Sequence, residues 1–547
     1  MRSPRENTST LQIGSNAAQL DGHLAEQALV VGAEFDADYY LAIAPRVAHA
    51  GVDPLSHFMT AGWREGLNPN GSFSVSEYLE DNPDVAAAGM NPFYHYIAHG
   101  RAEGRLLRLG YDYRHGIVAE PLSVAQRLAS RPPVPETSVG SGGQLLRALR
   151  APSRSGYRKL HVSVSHDDFT TNVGGVQSCL VREAAAFERA GVDHIHLFPA
   201  RPLLVTDHEN ENPPSGVLVN GTPAGIFESR SISEVFEKAI GAEAPLRSFA
   251  IHSLLGHNVR ALTSILRVLG MSRGFFWIHD FASVCAGHNL LRNDLEFCGA
   301  PAVDSAACNL CLYGERRRTQ IADHQDLFAA FEMTAVAPSQ VAMDIWKAAT
   351  PLEARDERIH PHCRFVPRLR VVPAPRPAQG GSKPLRVAYL GFPDVHKGWM
   401  TYRDLAISFG ADERYAFHHL GACWQRGLPI AFEEVVVDPE KPVAMTAAVE
   451  AHAIDVAVIW SLCQETFSFV AHEALAGGAA IVTSGASGNI TRLVEMTGQG
   501  RILPDTQALH KLFASGAALE LARARRGEWV FSLEYGGMTA DLMAGVL

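Results

Sequence analysis

Residues 463–478 read CQETFSFVAHEALAGG and set two carboxylates, Glu465 and Glu473, eight positions apart. The residues before them, 454–462, read IDVAVIWSL and are rich in β-branched side chains. Such a run predicts a strand that is buried on both faces, as the strands of parallel sheets are. Glu465 is therefore expected on the loop at the carboxyl end of a strand.

A helix and a second strand complete this motif. Residues 471–476 (AHEALA) are strong helix formers, and Gly477 and Gly478 are a natural end for that helix. Residues 480–483 (AIVT) predict the next buried strand. Glu473 then lies in the helix and faces the same crevice as the loop carboxylate. In open α/β sheets, ligands bind in this crevice.

The two carboxylates and their surroundings resemble the Glu, seven residues, Glu signature of retaining GT-B glycosyltransferases, in particular the large family 4. The resemblance implies that Glu473 holds the ribose hydroxyls of a nucleotide and that Glu465 contacts the transferred sugar. The alternative is a pair of solvated acids on a helix face. The chain departs from the family pattern at Ser468, where glycine is usual, and at Ala480, where proline is usual. The first departure bears on how closely the backbone approaches the sugar.

Composition argues against several classes of protein. The 547 residues are 47% hydrophobic and 19% charged, which predicts a folded protein of two or three domains. The net charge of −10 argues against a nucleic-acid partner, because phosphate binding needs a basic surface and the basic run 316–318 is short. No segment has the roughly 18 to 20 apolar residues of a membrane span, and the amino terminus lacks a signal-peptide core. We expect a cytoplasmic protein, with peripheral association with the inner membrane as a further option.

A repeat with a period of 38 residues begins at Phe35 and again at Phe73. The residues that recur 38 positions later are Tyr40, Leu41, Pro45, Val47, Gly51, Pro54, His57, Gly62, Glu65 and Gly66. This self-similarity predicts two stacked copies of a small helical unit. The unit resembles repeats found beside bacterial cell-surface polysaccharide glycosyltransferases, which implies assembly, acceptor binding or docking. His57 and His95 are interpreted as packed, hydrogen-bonded histidines, with ligand contact as the alternative.

The rest of the chain predicts an α/β fold of the GT-B type, in which two Rossmann-like domains face each other across a cleft. Linkers are placed where the sequence is rich in Pro, Gly and Ser. The predicted segments are a flexible lead-in 1–34, the tandem helical repeat 35–112, a linker 113–158, an acceptor domain 159–373, an interdomain linker 374–384 and a nucleotide-sugar domain 385–547. The resemblance implies that the final helix crosses back onto the first Rossmann-like domain.

Two features of the first predicted Rossmann-like domain point to ligands. Gly174 and Gly175 open a helix after the strand 159–166, so their N–H groups lie at a positive helix end that suits an anionic group. The resemblance places this loop near the donor diphosphate or the acceptor, and a plain tight turn is the alternative. The resemblance also assigns His279, expected at the carboxyl end of a strand, to the donor sugar. His252 is a further cleft residue, and a structural hydrogen bond at His279 is the alternative.

Four cysteines follow this histidine in the chain: Cys285, Cys298, Cys308 and Cys311. The CNLC pair at 308–311 predicts two thiolates on one tetrahedral ion, with the other two thiolates supplied by the preceding loop. We therefore expect a structural zinc ion that clamps a long insertion. Free buried cysteines, a redox pair and an iron centre are the alternatives.

The second predicted Rossmann-like domain opens with LRVAYLGFPDVHKGW, residues 385–399. Gly391 ends a strand and lets the chain turn beneath a ligand, and Lys397 precedes a helix. The resemblance implies that Gly391 marks the diphosphate pocket and that Lys397 neutralises the pyrophosphate leaving group. A surface lysine is the alternative. The family often has an arginine before this lysine, where the chain has His396.

The resulting hypothesis is a retaining hexosyltransferase that uses a nucleotide-sugar donor and extends a glycan in bacterial cell-surface polysaccharide synthesis. Glu465, His279 and Lys397 are its expected catalytic residues, because the developing sugar cation needs carboxylate or imidazole groups and the departing diphosphate needs a cation. No catalytic metal is expected, since helix dipoles and the lysine take its place. The alternatives are a protein O-glycosyltransferase and a non-catalytic glycan-binding or scaffold subunit. A lipid-linked glycan acceptor and homo-oligomerisation through the repeats are further expectations.

Overall fold

The computed structural model describes residues 22–44, 47, 51–70, 73–105, 107, 122–150, 153–367, 383–425, 428–438, 441–522 and 531–546. The chain divides into two compact units, Met1–His115 with Arg403–Asp412 and Gly116–Tyr402 with Glu413–Leu547. Residues 1–21 of the predicted lead-in lie outside the described residues, as does most of the predicted linker 374–384. Within the described ranges, no helix is both long and apolar enough to cross a membrane.

The first unit is a group of short helices around an aromatic core. Its helices are α1 Gly22–Gly32, α2 Ala37–Ile43, α3 Pro54–His57, α4 Val75–Asp81, α5 Pro83–Ala88 and α6 Pro92–His95, and the π-helical turns Phe58–Gly62 and Tyr96–Gly100 continue α3 and α6. Four of these helices start at capping side chains, because Asp36, Asp53, Ser74 and Asn91 each accept a hydrogen bond from a backbone N–H of the following turn. Helix α1 falls in the predicted lead-in, and its Ala28 and Val31 are buried in the core of the unit.

The two copies of the 38-residue repeat make matching contacts. Tyr40 Oη lies 2.8 Å from His57 Nδ1, and Tyr78 Oη lies 2.9 Å from His95 Nδ1. The prediction that these histidines are packed and hydrogen-bonded is confirmed. Two phenylalanines, one from each copy, meet edge to face with ring centroids 6.3 Å apart. The copies therefore share one core, as expected of repeats too short to fold alone.

The second unit begins with a mixed sheet that is parallel over most of its width. The strands of this sheet are β1 Lys159–Val164, β2 Asp193–Pro199, β3 Pro214–Val219, β4 Thr222–Glu228, β5 Leu246–Ile251, β6 Arg273–Trp277, β9 Glu332–Ala337 and β10 Asp356–Ile359. Outside this sheet, β7 Leu291–Arg292 pairs with β8 Glu296–Phe297, and β11 Cys363–Pro367 pairs with a strand near the end of the chain. The main sheet has the order β10-β9-β6-β5-β1-β2-β3-β4, with antiparallel pairing only at β2–β3 and β3–β4. Strand order reverses at β1, as in a Rossmann-like fold.

Helices precede, connect or follow the strands of this sheet. They are α7 Val124–Ala129, α8 Gly142–Leu149, α9 Gly175–Arg189, α10 Ser229–Ala239, α11 Val259–Val268, α12 Ala306–Asn309, α13 Gly314–Ala330 and α14 Gln340–Ala349. Helix α10 shows the amphipathic pattern clearly, because Ile232 and Phe236, four residues apart, are both fully buried. Helices α7 and α8 fall within the predicted linker 113–158.

A second, all-parallel sheet follows. Its strands are β12 Leu385–Gly391, β13 Tyr415–Gly421, β14 Ala431–Glu434, β15 Val456–Val458, β16 Ala480–Ser484 and β17 Gly500–Leu503, in the order β14-β13-β12-β15-β16-β17. Its helices are α15 Trp399–Phe409, α16 Ala444–Ala451, α17 Phe469–Ala476, α18 Asn489–Thr497 and α19 Thr506–Ala514. This is the Rossmann strand order, with the reversal between β12 and β15. The predicted α/β architecture of two Rossmann-like domains, the GT-B fold class, is confirmed.

The strand predicted for residues 454–462 is shorter in the structure. Strand β15 ends at Val458, and the backbone of Leu462 instead donates a hydrogen bond of 2.9 Å to the carbonyl of His396. The apolar residues after Val458 therefore leave the sheet and support the loop after β12. In a run of apolar residues, periodicity does not distinguish a buried strand from a buried loop.

The end of the chain returns to the first Rossmann-like domain. Strand β18, Phe531–Tyr535, pairs antiparallel with β11, and the last helix is α20 Thr539–Leu542. The Thr539 hydroxyl accepts a hydrogen bond of 2.9 Å from the indole of Trp277, and its backbone N–H donates one of 3.0 Å to Glu183 on α9. These contacts anchor the tail on β6 and α9.

Candidate functional site

The candidate site lies at the carboxyl ends of β12 and β15, where the strand order of the second sheet reverses. Gly391 ends β12, and the loop after it carries Lys397. The loop after β15 carries Glu465, and Lys397 Nζ lies 2.6 Å from Glu465 Oε1. Two residues that are 68 positions apart in the chain thus form an ion pair where α/β sheets bind ligands.

The backbone and side chain of Glu465 are both held in place. The Ser461 hydroxyl donates a hydrogen bond of 3.0 Å to the same carboxylate oxygen that Lys397 contacts. The Glu465 carbonyl accepts a hydrogen bond of 2.8 Å from the backbone of Asn489. Gly488 has a φ of +63°, and a Cβ there would lie 2.5 Å from the Glu465 backbone nitrogen. Only glycine fits against the Glu465 backbone at this position.

Sequence reasoning did not single out Ser461, Gly488 or Asn489. The segment 484–489 reads SGASGN and leads into helix α18, whose first residue is Asn489. A glycine-rich stretch that opens a helix after a buried strand is a signal for a ligand-site loop, and it could have drawn attention to this segment.

The ion pair shifts the pKa of both of its members. Burial acts to raise the pKa of Glu465, but the ammonium of Lys397 and the hydrogen bonds from Lys397 and Ser461 lower it below its usual value. For Lys397, burial acts to lower the pKa and the Glu465 carboxylate raises it. Both groups are therefore charged at neutral pH.

The loop after β12 has the geometry expected of a turn beneath a ligand. Gly391 has a φ of +96°, a conformation that L side chains rarely adopt, and its carbonyl accepts a hydrogen bond of 2.9 Å from His419 Nε2. His396, which stands where the family often has arginine, has its Nδ1 2.8 Å from Asp394 Oδ1. The imidazole of His396 is thus paired within its own loop.

Ser468 caps helix α17 in a backbone conformation that favours glycine. Its φ is 72° and its ψ is 92°, and its side chain makes no capping hydrogen bond. A non-glycine residue in this region costs of order 1–3 kcal/mol. The serine that departs from the family pattern therefore keeps the glycine-like backbone turn, with strain.

Glu473 lies on α17 and is 4% exposed. The charged and titratable groups around it are Arg182 on α9, Cys363 on β11 and Tyr535 on β18. Among the described residues, none donates a hydrogen bond to its carboxylate. Burial raises the pKa of Glu473 to about 7, and Arg182 opposes this only in part. This carboxyl group is poised to titrate near neutral pH.

The predicted glycine pair opens helix α9. Gly174 is the N-cap and has extended backbone, and a Cβ on Gly175 would lie 3.6 Å from the ring of Phe469. The amino end of α9 therefore faces the start of α17 in the second Rossmann-like domain. The helix dipole favours an anion there.

His279 follows β6 and is tied to the Glu465 loop by its backbone. The Thr466 hydroxyl donates a hydrogen bond of 2.7 Å to the His279 carbonyl, and the Ser339 hydroxyl donates one of 2.7 Å to the Thr466 carbonyl. On the ring of His279, Nε2 lies 2.9 Å from Nδ1 of His252. Burial and the imidazoles of His362 and His252 hold the pKa of His279 well below its usual value, so this ring is neutral.

The four cysteines predicted to bind zinc do not form a three-ligand cluster in the part of the chain that the structure describes. All four are free and partly buried, and in the described part of the chain no three of their sulfurs lie within 4.8 Å of one another. The guanidinium of Arg317 donates a hydrogen bond of 3.1 Å to Cys308 Sγ, which places a positive charge where the cation is expected. The zinc assignment to Cys285, Cys298, Cys308 and Cys311 stays a prediction.

A shallow cavity of about 650 Å³ lies at the opposite edge of the first sheet, at the amino ends of β6 and β9. Its charged residues already pair with each other, because Arg273 lies 3.0 Å from Glu332 and Arg355 contacts the same carboxylate. Ligand sites of parallel sheets lie at the carboxyl ends instead. Lys397 and Glu465, at the carboxyl ends, are therefore the better candidate for a ligand site.

No protein-family model matches this chain, and no curated protein matches it. Solved structures that resemble it include sucrose-phosphate synthase from Thermosynechococcus elongatus, with 16% identity, a TM-score of 0.43 and coverage of 67% of this chain and 91% of that chain. HepE from Anabaena, solved with UDP-glucose, has 13% identity, a TM-score of 0.38 and coverage of 67% and 92%. WaaG, a glycosyltransferase involved in lipopolysaccharide biosynthesis, has 12% identity, a TM-score of 0.39 and coverage of 71% and 95%. These similarities are remote, and the fold assignment comes from the strand order and contacts of this chain.

Proposed function

We propose that this protein is a retaining glycosyltransferase of hexosyltransferase type that uses a nucleotide-sugar donor and extends a glycan in bacterial cell-surface polysaccharide synthesis. The observation that carries the proposal is the ion pair of Lys397 and Glu465 at the switch point of the second sheet. A cation and a carboxylate held together there suit a ligand that combines a diphosphate with a sugar.

Lys397 is assigned to the diphosphate. Its side chain is 45% exposed, whereas that of Glu465 is 10% exposed, so the lysine can turn toward a phosphate while the carboxylate stays in place. Glu465 then keeps the hydrogen bond from Ser461. In the free protein the ammonium of Lys397 and the carboxylate of Glu465 neutralise each other. Binding of the donor would separate these two charges.

The proposed reaction breaks the bond between the anomeric carbon and the phosphate oxygen, and the electron pair leaves with the diphosphate. The acceptor hydroxyl oxygen forms a bond to the same carbon and on the same face, and its proton passes to the departing phosphate. Glu465 stabilises the positive charge that develops on the sugar, and Lys397 stabilises the negative charge on the diphosphate. No covalent sugar–protein intermediate is needed.

The other assignments are proposals that extend from this pair. Glu473 is assigned to the ribose hydroxyls and Gly391 to the turn beneath the diphosphate. Gly174 and Gly175 offer their helix amino end to the diphosphate or the acceptor. His279 is assigned to the donor sugar, because the hydrogen bond from Thr466 to its carbonyl holds it beside the Glu465 loop.

The acceptor is assigned to the first Rossmann-like domain and the donor to the second. The acceptor class proposed is a glycan, including a lipid-linked glycan. The tandem helical repeats are assigned to assembly or docking, because their polar histidines are occupied by hydrogen bonds within the unit.

The proposal is tested by offering the protein UDP-, GDP-, ADP- and dTDP-sugars without acceptor and measuring release of nucleoside diphosphate, with thermal shift as a binding assay. Lys397→Gln and Glu465→Gln are expected to lower the release rate by about 10²–10³-fold. Lys511→Gln and Glu434→Gln, at exposed positions of the same domain, are the matched controls and should keep the wild-type rate.

Two outcomes contradict the proposal. If no donor is hydrolysed and none raises the melting temperature, the protein does not use a nucleotide sugar. If the two site variants release diphosphate as fast as the two controls, the ion pair has no catalytic role. Retention is checked separately by the anomeric configuration of the product in NMR spectra.

A further inference from the structure

Three side chains of the kind that bind metal ions lie where three elements of the second unit meet. Cys179 is on α9, His279 follows β6 and His362 precedes β11. The Cys179 sulfur and one ring nitrogen of each histidine all lie within 4.8 Å of one another. In the ranges that the structure describes, no other three Cys, His, Asp or Glu side chains gather so closely.

Hydrogen bonds define which nitrogen of His279 is available. Glu183 is fully buried, and its Oε1 lies 3.0 Å from His252 Nε2. A carboxylate only accepts, so His252 donates from Nε2 and its Nδ1 carries a lone pair. That lone pair accepts from His279 Nε2 at 2.9 Å. His279 Nδ1 is therefore the unprotonated nitrogen, as required of a metal ligand.

His362 supplies an independent sign of a missing partner. It is 4% exposed, and its Nδ1 is buried without a hydrogen-bond partner among the described residues. Leaving such a buried group without a hydrogen-bond partner destabilises the folded protein. The ring is held by aromatic contacts, with its centroid 5.5 Å from that of Phe469 and 4.8 Å from that of Phe467. The His362 ring is thus held in place, and its Nδ1 makes no hydrogen bond to the described residues.

We propose that Cys179, His279 and His362 bind one Zn²⁺ ion, with a fourth coordination position left for water or a substrate oxygen. A thiolate and two neutral imidazoles suit zinc and other late transition metals, whereas Mg²⁺ and Ca²⁺ prefer oxygen ligands. As the sulfur–zinc bond forms, the Cys179 thiol releases its proton to solvent. The resulting net charge of the site is +1, and the buried Glu183 carboxylate balances it through His252.

The ion occupies the seam between the two Rossmann-like domains. Cys179 and His279 belong to the first domain, and His362 contacts aromatic rings of the Glu465 loop and helix α17. Binding also takes the Nδ1 of His279, so that this ring would no longer contact a sugar directly. The role of Lys397 and Glu465 does not depend on the ion, and the two proposals can therefore fail separately.

The test is elemental analysis of full-length protein purified without added metal, followed by Co²⁺ substitution. Wild type is expected to carry about one zinc per chain. Cys179→Ser and His362→Gln should each lower that content by at least about tenfold. The control Cys423→Ser, at an exposed position, should keep it. In the Co²⁺ form, a thiolate-to-cobalt charge-transfer band is expected, and Cys179→Ser should abolish it.

A double variant, Cys308→Ser with Cys311→Ser, separates this site from the predicted four-cysteine site. It should keep the zinc equivalent and the cobalt band. Their loss would assign the ion to the four cysteines and overturn the proposal. Wild type without zinc that also shows no cobalt band on titration with Co²⁺ would overturn it as well, and this readout does not depend on any variant folding correctly.

Discussion

The raised pKa of Glu473 predicts that the free energy of unfolding falls as the pH rises. The substitution Glu473→Gln should remove this loss of stability. Burial raises the pKa from its ordinary value of 4.5 to about 7. Between these values the folded state holds a proton that the unfolded state has lost, so stability falls as pH rises. At about 1.4 kcal/mol for each tenfold change in acid strength, the cost amounts to roughly 3 kcal/mol above pH 7.

The glutamine variant carries no ionisable group at this position. It should therefore be more stable than wild type by up to about 3 kcal/mol at pH 8, and by less than about 1 kcal/mol at pH 5, where the folded wild type is already protonated. The groups that face Glu473, which are Arg182, Cys363 and Tyr535, are unchanged in the variant. The difference between variant and wild type thus isolates this one carboxyl group.

The assay is urea unfolding of both proteins at pH 5, 6, 7 and 8, followed by tryptophan fluorescence. Glu434→Gln, at an exposed position on β14, is the control and should give no pH-dependent difference. If the Glu473→Gln and wild-type midpoints stay parallel across this pH range, Glu473 titrates normally and the reasoning is refuted. If ribose hydroxyls bind the ionised form, nucleotide affinity should also fall about tenfold from pH 6 to pH 5, and the variant should not show this dependence.

Two further predictions concern local structure. Ser468→Gly should relieve the strained backbone at the start of α17 and raise the free energy of unfolding by about 1 kcal/mol, whereas Ser264→Gly, at an exposed position inside helix α11, should lower it by about 0.5 kcal/mol. Equal signs for these two serine-to-glycine changes would contradict the strain argument. Tyr78→Phe should destabilise the helical unit by about 1–3 kcal/mol because His95 Nδ1 loses its buried partner. Tyr94→Phe, a half-buried control, should have little effect, and equal losses in the two variants would show that the hydrogen bond is not the cause.

The elements around the candidate site, β12, β15, α17 and β16, could be predicted from the sequence. Buried strands, helix caps and the spacing of Glu465 and Glu473 are encoded in short segments, because side-chain periodicity and backbone propensity act over a few residues. The same holds for the tandem repeat, whose 38-residue period is visible in the chain itself. The class of fold followed from the alternation of these elements.

Only the tertiary structure determined which distant residues meet. The pairing of Lys397 with Glu465 spans 68 positions, and Cys179 meets two histidines from separate elements; neither contact has a local signal. The conformation of Ser468 could not be predicted either, because a serine in the sequence gives no indication of a positive φ. The spacing of four cysteines suggested a metal site, but chain packing places a guanidinium at one sulfur. Such contacts depend on how whole sheets and helices stack, which the order of residues along the chain does not reveal by itself.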